Sequence, residues 1–274
     1  MKDILSIGLL VNASFKKFNP VRKNTKMKNQ YANSNGSDAE MHSGSTRMVH
    51  KKFIDPLQKI ETKTRTVVKE YTLPWEDRGN RLVTAEMVPA LQEALVPLRR
   101  DWANAVEEFV VEYDKIVADA RDKLKGDFRP ELYPSASDIR NRFQFNVVFM
   151  PMPDNSRLIE SVREEMEDIF NDRINEASAN LRQRLMDKLL HLSDKCKSLA
   201  NGDKMKFYES NLSNVLDLCN MIPDMLIKED DELLEVANEA KKLLANINSD
   251  LLKESDITSA TVSRQARELA NALI

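Results

Sequence analysis

Residues 156–200 contain neither glycine nor proline, and this stretch constrains the fold more than any other part of the chain. Its side chains repeat every three or four positions, which is the spacing of one face of an α-helix. Apart from Arg173, the residues at this spacing are apolar: Leu158, Val162, Met166, Ile169, Ala177, Leu181, Leu185, Leu189, Leu192, Cys196 and Leu199. One continuous helix here is on the order of 65 Å long, at about 1.5 Å per residue. The pattern therefore predicts a long, coiled-coil-like helix over 156–202, ended by Gly202.

The composition points to a mainly helical protein. Glycine occurs only six times in 274 residues, and the six are too dispersed for a P-loop or a G-x-G-x-x-G turn. A chain of this length buries a core without disulfides or metals. The two cysteines, Cys196 and Cys219, lie in helical patterns, and we expect them to be reduced thiols in a cytoplasm.

The N-terminal segment, residues 1–19, reads as a β-strand. Residues 4–18 alternate loosely between apolar and polar, and the apolar run is too short for a signal peptide. No later run is long and apolar enough to cross a bilayer, so no membrane association is expected.

Residues 20–52 form a basic arm. Nine basic side chains stand against two acidic ones over 16–52, although the whole chain has a net charge of −3. Residues 20–47 are rich in Asn, Ser and Lys and poor in large apolar residues, which predicts a flexible loop. The arm has two readings: a solvated loop, or a nucleic-acid contact in which cations bind phosphates and nearby aromatic rings stack on bases. The candidate contact residues are Lys16, Lys17, Arg22, Lys23, Lys26 and Lys28.

Residues 53–155 are predicted to be a helical body. Asp55-Pro56 resembles a helix start, Pro74 should end that helix, and Pro89 and Pro97 should break or bend the next. An apolar stripe then runs from Leu98 through Trp102 to Gly126.

One strand is predicted within this body. Residues 143–149 alternate strictly, and we expect this strand to pair with residues 4–18 as a two-stranded or otherwise small sheet. Three shorter helices should follow in 203–274, near 203–222, 230–252 and 259–273. The predicted fold class is therefore an elongated, mainly α bundle with a small β element.

No catalytic, cofactor-binding or metal-binding set can be assembled from the sequence. The chain has three histidines, and none lies at the spacing of a di-metal or zincin motif. The chain is thus expected not to be an enzyme and to need no cofactor. An unrecognised site near Glu76, Asp77, Arg78 and Arg81 is the alternative.

Residues 70–83 combine proline, glycine, tryptophan and charged side chains in one short stretch. Residues 72–83 are predicted to form a turn with Gly79 at positive φ. Trp75 is predicted to be a buried anchor that pins this turn. In the other reading, Trp75, Glu76, Asp77 and Arg78 form a docking corner for a partner.

Several separated motifs carry a family resemblance. They are Thr72-Leu73-Pro74-Trp75, Tyr133-Pro134, Arg140-x-Arg142-Phe143, and Phe145, Phe149, Pro151 and Pro153. Over roughly residues 1–200 they resemble an uncharacterised family, a domain of unknown function, encoded by tailed phages and mobile elements near genes for a MoxR-like AAA+ ATPase and a von Willebrand A domain. No established catalytic residues carry over, and the basic insertion after residue 20 departs from typical members.

The resemblance implies a bacterial host cell and little about function, and the cysteines indicate its cytoplasm. The leading hypothesis is a non-enzymatic helical scaffold that serves as an adaptor for the AAA+ ATPase. Homo-oligomers of this scaffold are an open alternative. The second hypothesis is nucleic-acid binding through residues 16–52.

Overall fold

The computed structural model describes residues 8–76, 79–152, 160–203 and 205–274, without the side chains of 161–163. The strands are β1 (Gly8–Lys16), β2 (Val21–Lys23), β3 (Ser45–Arg47), β4 (Leu73–Pro74), β5 (Arg81–Thr84) and β6 (Gln144–Pro151). The helices are α1 (Thr25–Ser34), α2 (Lys51–Tyr71), α3 (Val88–Val111), α4 (Tyr113–Leu124), α5 (Ala136–Ile139), α6 (Glu160–Ala200), α7 (Ser210–Met225), α8 (Asp231–Leu244), α9 (Ser249–Glu254) and α10 (Asp256–Asn271). The expectation of a mainly helical chain with a small β element is confirmed.

The larger sheet has four strands in the order β4-β5-β1-β6. The predicted neighbours, the N-terminal strand and the strand after Phe143, do lie side by side as β1 and β6. Two further strands, β4 and β5, come from the stretch predicted only as a turn. β1 pairs antiparallel with β5, from Gly8 opposite Thr84 to Val11 opposite Arg81.

The segment predicted as a flexible loop contains regular structure. β2 and β3 form a two-stranded antiparallel sheet, with α1 between them in the chain. The Asn24 side chain caps α1 by accepting from the Met27 N–H, and its amide donates to Thr46 Oγ1 at 2.7 Å. Composition alone does not predict these polar contacts, nor that buried Phe18 and Met48 anchor both ends of the segment.

Several helix boundaries differ from those predicted, mainly at prolines. α2 begins at Lys51 and includes Pro56, and α3 runs through Pro97 without ending. A proline removes one backbone hydrogen bond, and burial of the apolar faces of these helices outweighs that loss. Likewise α7 passes Pro223 and ends at Met225.

Two predicted helices are each divided in two. The helix predicted from Leu98 is interrupted at Glu112, between α3 and α4. The helix predicted over residues 230–252 is replaced by α8 and most of α9. Asn248 caps α9 by accepting from the N–H groups of Asp250 and Leu251, so a polar side chain marks the second break.

The chain forms two compact units, each built from separate segments. Unit 1 comprises residues 1–12, 69–91 and 149–274, and unit 2 comprises 13–68 and 92–148. The buried core of unit 2 joins the arm to the helices: Phe18, Met48, Val49, Ile54, Leu57, Trp102, Val106, Phe109, Tyr113, Ile116, Ile139 and Phe143. The stripe from Leu98 is therefore core, as its spacing indicates.

The long helix belongs to unit 1. α6 is continuous over 41 residues, roughly 60 Å, which confirms the predicted long helix. Its stripe from Ala177 to Cys196 is buried, and α6 packs chiefly against α10 of the same chain. Ser193 and Ser263 meet at this contact, where the Ser193 hydroxyl donates to the Ser263 carbonyl oxygen at 2.7 Å. This part of the helix thus buries its apolar face within one chain.

Candidate functional site: a clamped corner and its cavity

The corner formed by residues 72–81 in unit 1 is held by a buried aromatic contact. The Trp75 side chain is only 6% exposed, and its ring centroid lies 5.6 Å from that of Phe170 on α6. The predicted burial of Trp75 is therefore confirmed. Of the proposed docking residues, Glu76 is exposed, while Asp77 and Arg78 lie outside the described residues.

Gly79 and Asn80 shape the turn of this corner. Gly79 has φ +113°, a conformation that favours glycine, as predicted. The Glu76 N–H donates to the Asn80 carbonyl oxygen at 3.2 Å, and the Asn80 amide donates to Glu76 Oε2 at 2.9 Å. Asn12 on β1 donates to Asn80 Oδ1 at 3.1 Å, so the turn is tied to the sheet.

Two arginines clamp the backbone before the turn. Arg81 donates from Nε to Thr72 Oγ1 at 2.6 Å and from Nη2 to the Thr72 carbonyl oxygen at 3.2 Å. Arg184, on α6, donates to the same carbonyl at 3.2 Å and to the Glu70 carbonyl oxygen at 2.6 Å. Burial lowers the pKa of both arginines, and the charge of Arg184 lowers that of Arg81 further. The corner and the long helix are thus fixed to each other by charged donors.

A cavity of about 270 Å³ lies beside the clamp. Its lining residues are Glu70, Tyr71, Arg184, Lys188, Asn214, Asp217, Leu218, Asn220 and Met221. Lys188 is half-buried one helical turn beyond Arg184, while the acidic residues Glu70 and Asp217 are exposed. The cavity therefore combines half-buried cations with exposed carboxylates and amides.

The Lys188 ammonium has no hydrogen-bond or ion-pair partner in the described part of the chain. Burial lowers the pKa of Lys188, and the charges of Glu70 and Asp217 partly oppose this effect. A half-buried cation without a close partner gains from a carboxylate brought by a ligand, because that pairing offsets its lost hydration. Binding is thus the chemistry that this arrangement supports.

The structure also places the candidate nucleic-acid contacts, all in unit 2. Lys17 forms an ion pair with Glu61 at 2.5 Å, and Arg22 donates to the Asp127 carbonyl oxygen at 2.8 Å. Those two cations serve internal contacts. Three of the others are exposed and Lys28 is half-buried; the exposed ones are Lys16, Lys23 and Lys26.

The described ranges hold neither a metal-binding cluster nor a membrane-spanning helix. No group of three or more His, Cys, Asp or Glu side chains there is placed to hold a metal ion. No helix in those ranges is long and apolar enough to cross a membrane.

Arg184 and Lys188, the two cations that line the cavity, were not predicted as site residues from the sequence. The sequence carries a weak signal: Arg184 and Lys188 are like charges one turn apart, which slightly destabilises a helix, but the exposed Glu164 and Asp168 of the same helix have the same spacing. The position of the two cations beside the buried Leu181, Leu185 and Leu189 adds to that signal. Only the fold shows that the main chain at Glu70 and Thr72 accepts hydrogen bonds from Arg184.

These features define a mainly helical protein with a four-stranded sheet and a clamped corner against its longest helix. The chain belongs to a family described as protein of unknown function, DUF3150, whose model matches residues 10–220. That range contains the corner, Arg184, Lys188 and the basic arm. No curated protein and no solved structure matches the chain.

Proposed function

We propose that this chain is a non-enzymatic interaction protein of a phage or mobile element, and that a protein partner docks at the clamped corner and its cavity. The partner in this proposal is a MoxR-like AAA+ ATPase, which the family resemblance suggests, in the bacterial cytoplasm. The observation that carries it is the half-buried Lys188, without a close partner in the described residues, in a cavity beside the corner.

The clamp supports docking because it fixes the corner before a partner arrives. Arg81 and Arg184 hold the Thr72 main chain, so little backbone ordering is left to oppose binding. A partner carboxylate would pair with Lys188, and partner cations would pair with exposed Glu70 and Asp217. Such alternating charges select a partner and its orientation.

The test uses the purified full-length chain, the AAA+ ATPase encoded beside its gene, and isothermal titration calorimetry. We expect a stoichiometric complex that Lys188→Met weakens about tenfold or more, which is about 1.4 kcal/mol. The matched control is Lys197→Met, at an exposed lysine on the same helix, which should leave the affinity unchanged. Failure of the wild-type chain to bind the ATPase would refute the proposed partner, and equal binding by Lys188→Met would refute the site.

Nucleic-acid binding is a second candidate, favoured by the exposed Lys16, Lys23 and Lys26. Deleting residues 20–47 would also remove Arg22 and the β2–β3 sheet, so charge reversal is the cleaner test. We expect the variant with Lys16, Lys23 and Lys26 all replaced by glutamate to be no longer retained by immobilised DNA or RNA at low salt. The wild-type affinity should fall steeply as salt is added. If wild-type protein shows no retention at low salt, this candidate is rejected.

A further inference from the structure

Unit 2 has an exposed apolar groove beside the junction of α3 and α4. The groove encloses about 510 Å³. Its lining residues are Lys52, Phe53, Pro56, Ala105, Glu107, Glu108, Phe109, Val111, Glu112 and Ile116. Val111 is 73% exposed, so a large apolar side chain faces water at this site. A volume in the rough range of 300–1,000 Å³ holds a drug-sized molecule and has room for two large side chains.

The groove is acidic around its apolar surface, with three glutamates and one lysine in its lining. Two of the carboxylates are already paired: Glu107 with Arg140 at 2.5 Å and Glu112 with Lys115 at 3.1 Å. The third, Glu108, is exposed and has no hydrogen-bond or ion-pair partner among the residues that the structure describes. A basic and apolar segment is therefore the complement of this surface.

Unit 2 itself carries such a segment on α1. Met27 and Tyr31 lie one helical turn apart and are 54% and 59% exposed. Lys26, exposed, and Lys28, half-buried, stand on either side of Met27. The opposite side of the helix is anchored, because Ala32 is fully buried. α1 thus presents two apolar side chains and nearby cations from an ordered helix.

We propose that α1 of one copy of this chain docks into the α3–α4 groove of a second copy. Met27 and Tyr31 then cover Phe53, Pro56 and Val111. Lys26 pairs with Glu108 of the other copy, the carboxylate that the described part of its own chain leaves unpaired.

A second copy is the favoured occupant because both complementary surfaces are present on the same polypeptide. Each exposes apolar area, and removing such area from water favours association. Each contact joins two different surfaces. Two reciprocal contacts form an isologous dimer, whereas a single contact repeated head to tail is heterologous and builds a longer chain. This assembly is independent of the partner docking proposed for unit 1.

Multi-angle light scattering after size-exclusion chromatography tests the proposal with the full chain. Nuclease-treated wild type should have a mass above that of one chain, rising with concentration. Two variants should be monomeric with unchanged circular dichroism melting curves: Met27→Glu/Tyr31→Glu on α1 and Val111→Glu in the groove. These positions are more than half exposed, so the folded chain accommodates the charges. Tyr31→Glu also removes an edge-on contact with the His42 ring, at 5.0 Å between centroids, so the melting curve checks that the fold persists.

Mixing the two variants gives the sharpest readout. The Met27→Glu/Tyr31→Glu chain keeps an intact groove and the Val111→Glu chain keeps an intact α1, so one contact can form between them. We expect the mixture to form a heterodimer although each variant alone is monomeric. A Lys26→Glu chain and a Glu108→Lys chain should each dissociate, and the double variant should associate again.

Three results would overturn the proposal. The first is a wild-type chain that is monomeric at its highest soluble concentration. The second is an oligomer that survives both Met27→Glu/Tyr31→Glu and Val111→Glu. The third is association that disappears on nuclease treatment, which would assign the α1 surface to nucleic acid instead.

Discussion

At the scale of single residues, Trp75 shows how burial decides between two readings of one motif. Its indole packs against Phe170 and is 6% exposed, so it acts first as a structural anchor. A partner at this corner would instead meet the exposed Glu76 and the side chains that line the cavity.

We predict that Trp75→Ala lowers the free energy of unfolding by roughly 3–5 kcal/mol, as truncation of core aromatic residues does. Urea denaturation followed by circular dichroism measures the loss. Glu86→Ala, at an exposed position of unit 1, is the control and should change stability by less than about 0.5 kcal/mol. An unchanged midpoint for Trp75→Ala, together with loss of partner binding, would show that the indole serves docking and not stability.

Gly8 allows a close backbone approach between β1 and β5. A Cβ atom at this position would lie 2.1 Å from the Val83 carbonyl oxygen, so any side chain forces the two strands apart. We predict that Gly8→Ala destabilises the fold by about 1–3 kcal/mol, the usual range for overpacking. Gly126→Ala is the matched control, because a Cβ there meets nothing within 4 Å. Equal melting temperatures for the two variants would contradict the described strand pairing.

At the scale of secondary-structure elements, an ion pair joins α6 to the start of α8. Arg182 donates to both carboxylate oxygens of Asp230, at 2.7 and 2.6 Å, and also to Glu232 at 2.8 Å. Burial raises the pKa of Asp230, but the hydrogen bonds from Arg182 and the Leu233 N–H lower it overall. The ionised carboxylate is therefore the form that stabilises this contact.

We predict that Asp230→Asn lowers the free energy of unfolding at neutral pH by roughly 1.5–3 kcal/mol, the range for a hydrogen bond to a charged group. Since the folded-state pKa lies below the unfolded value of about 3.9, the wild-type advantage is complete above that pH. It declines as the pH falls through the folded-state pKa. Denaturation curves between neutral and acidic pH check this, with Asp231→Asn at an exposed neighbour as control. A difference between wild type and Asp230→Asn that does not change with pH would contradict the assignment.

Elements were predictable where the pattern was long and regular. The helical period dominates over several turns from Ala177 to Cys196. The two-residue period of a strand dominates from Phe143 to Phe149. The short strands β4 and β5 were not predictable, because their stability comes from pairing with β1 and with each other. Helix ends near Pro56, Pro97 and Pro223 also depended on tertiary packing that local rules do not include.

At the scale of the whole molecule, the chain builds each compact unit from separate segments. Sequence-based boundaries at residues 52, 155 and 202 follow changes of composition along the chain. The units follow contacts between segments distant in sequence, such as the hydrogen bond at 2.6 Å from Thr84 Oγ1 to the Asp224 carbonyl oxygen in unit 1. Composition along a chain carries no information about which distant segments contact each other.

The reactivity of the two cysteine thiols reports on local unfolding of unit 1. Both side chains are fully buried, and burial raises the pKa of Cys196 to about 12 and of Cys219 to about 11. Because the thiolate is the reactive form, we predict that neither thiol reacts with Ellman's reagent at neutral pH in the native protein. Both should react promptly in denaturant, and the native labelling rate should rise in Trp75→Ala. Fast labelling of the intact native protein would contradict the described burial.

The sequence by itself determined the helical class, the long helix, the adjacency of the N-terminal strand to the Phe-rich strand, and the burial of Trp75. The helical class, the long helix and the burial of Trp75 follow from periodicity and side-chain size, which act locally along the chain. The adjacency of the two strands follows because a single strand is not stable without a partner. Only the tertiary structure decided that residues 20–47 carry regular structure, that the corner supplies two strands, and that Arg184 and Lys188 meet it beside a cavity. The first two arise from contacts between separate segments, such as Asn24 with Thr46 and β5 with β1. The third arises from hydrogen bonds between residues more than a hundred positions apart, such as Arg184 and Thr72. The electrostatics of the candidate site therefore exist only once the chain has folded.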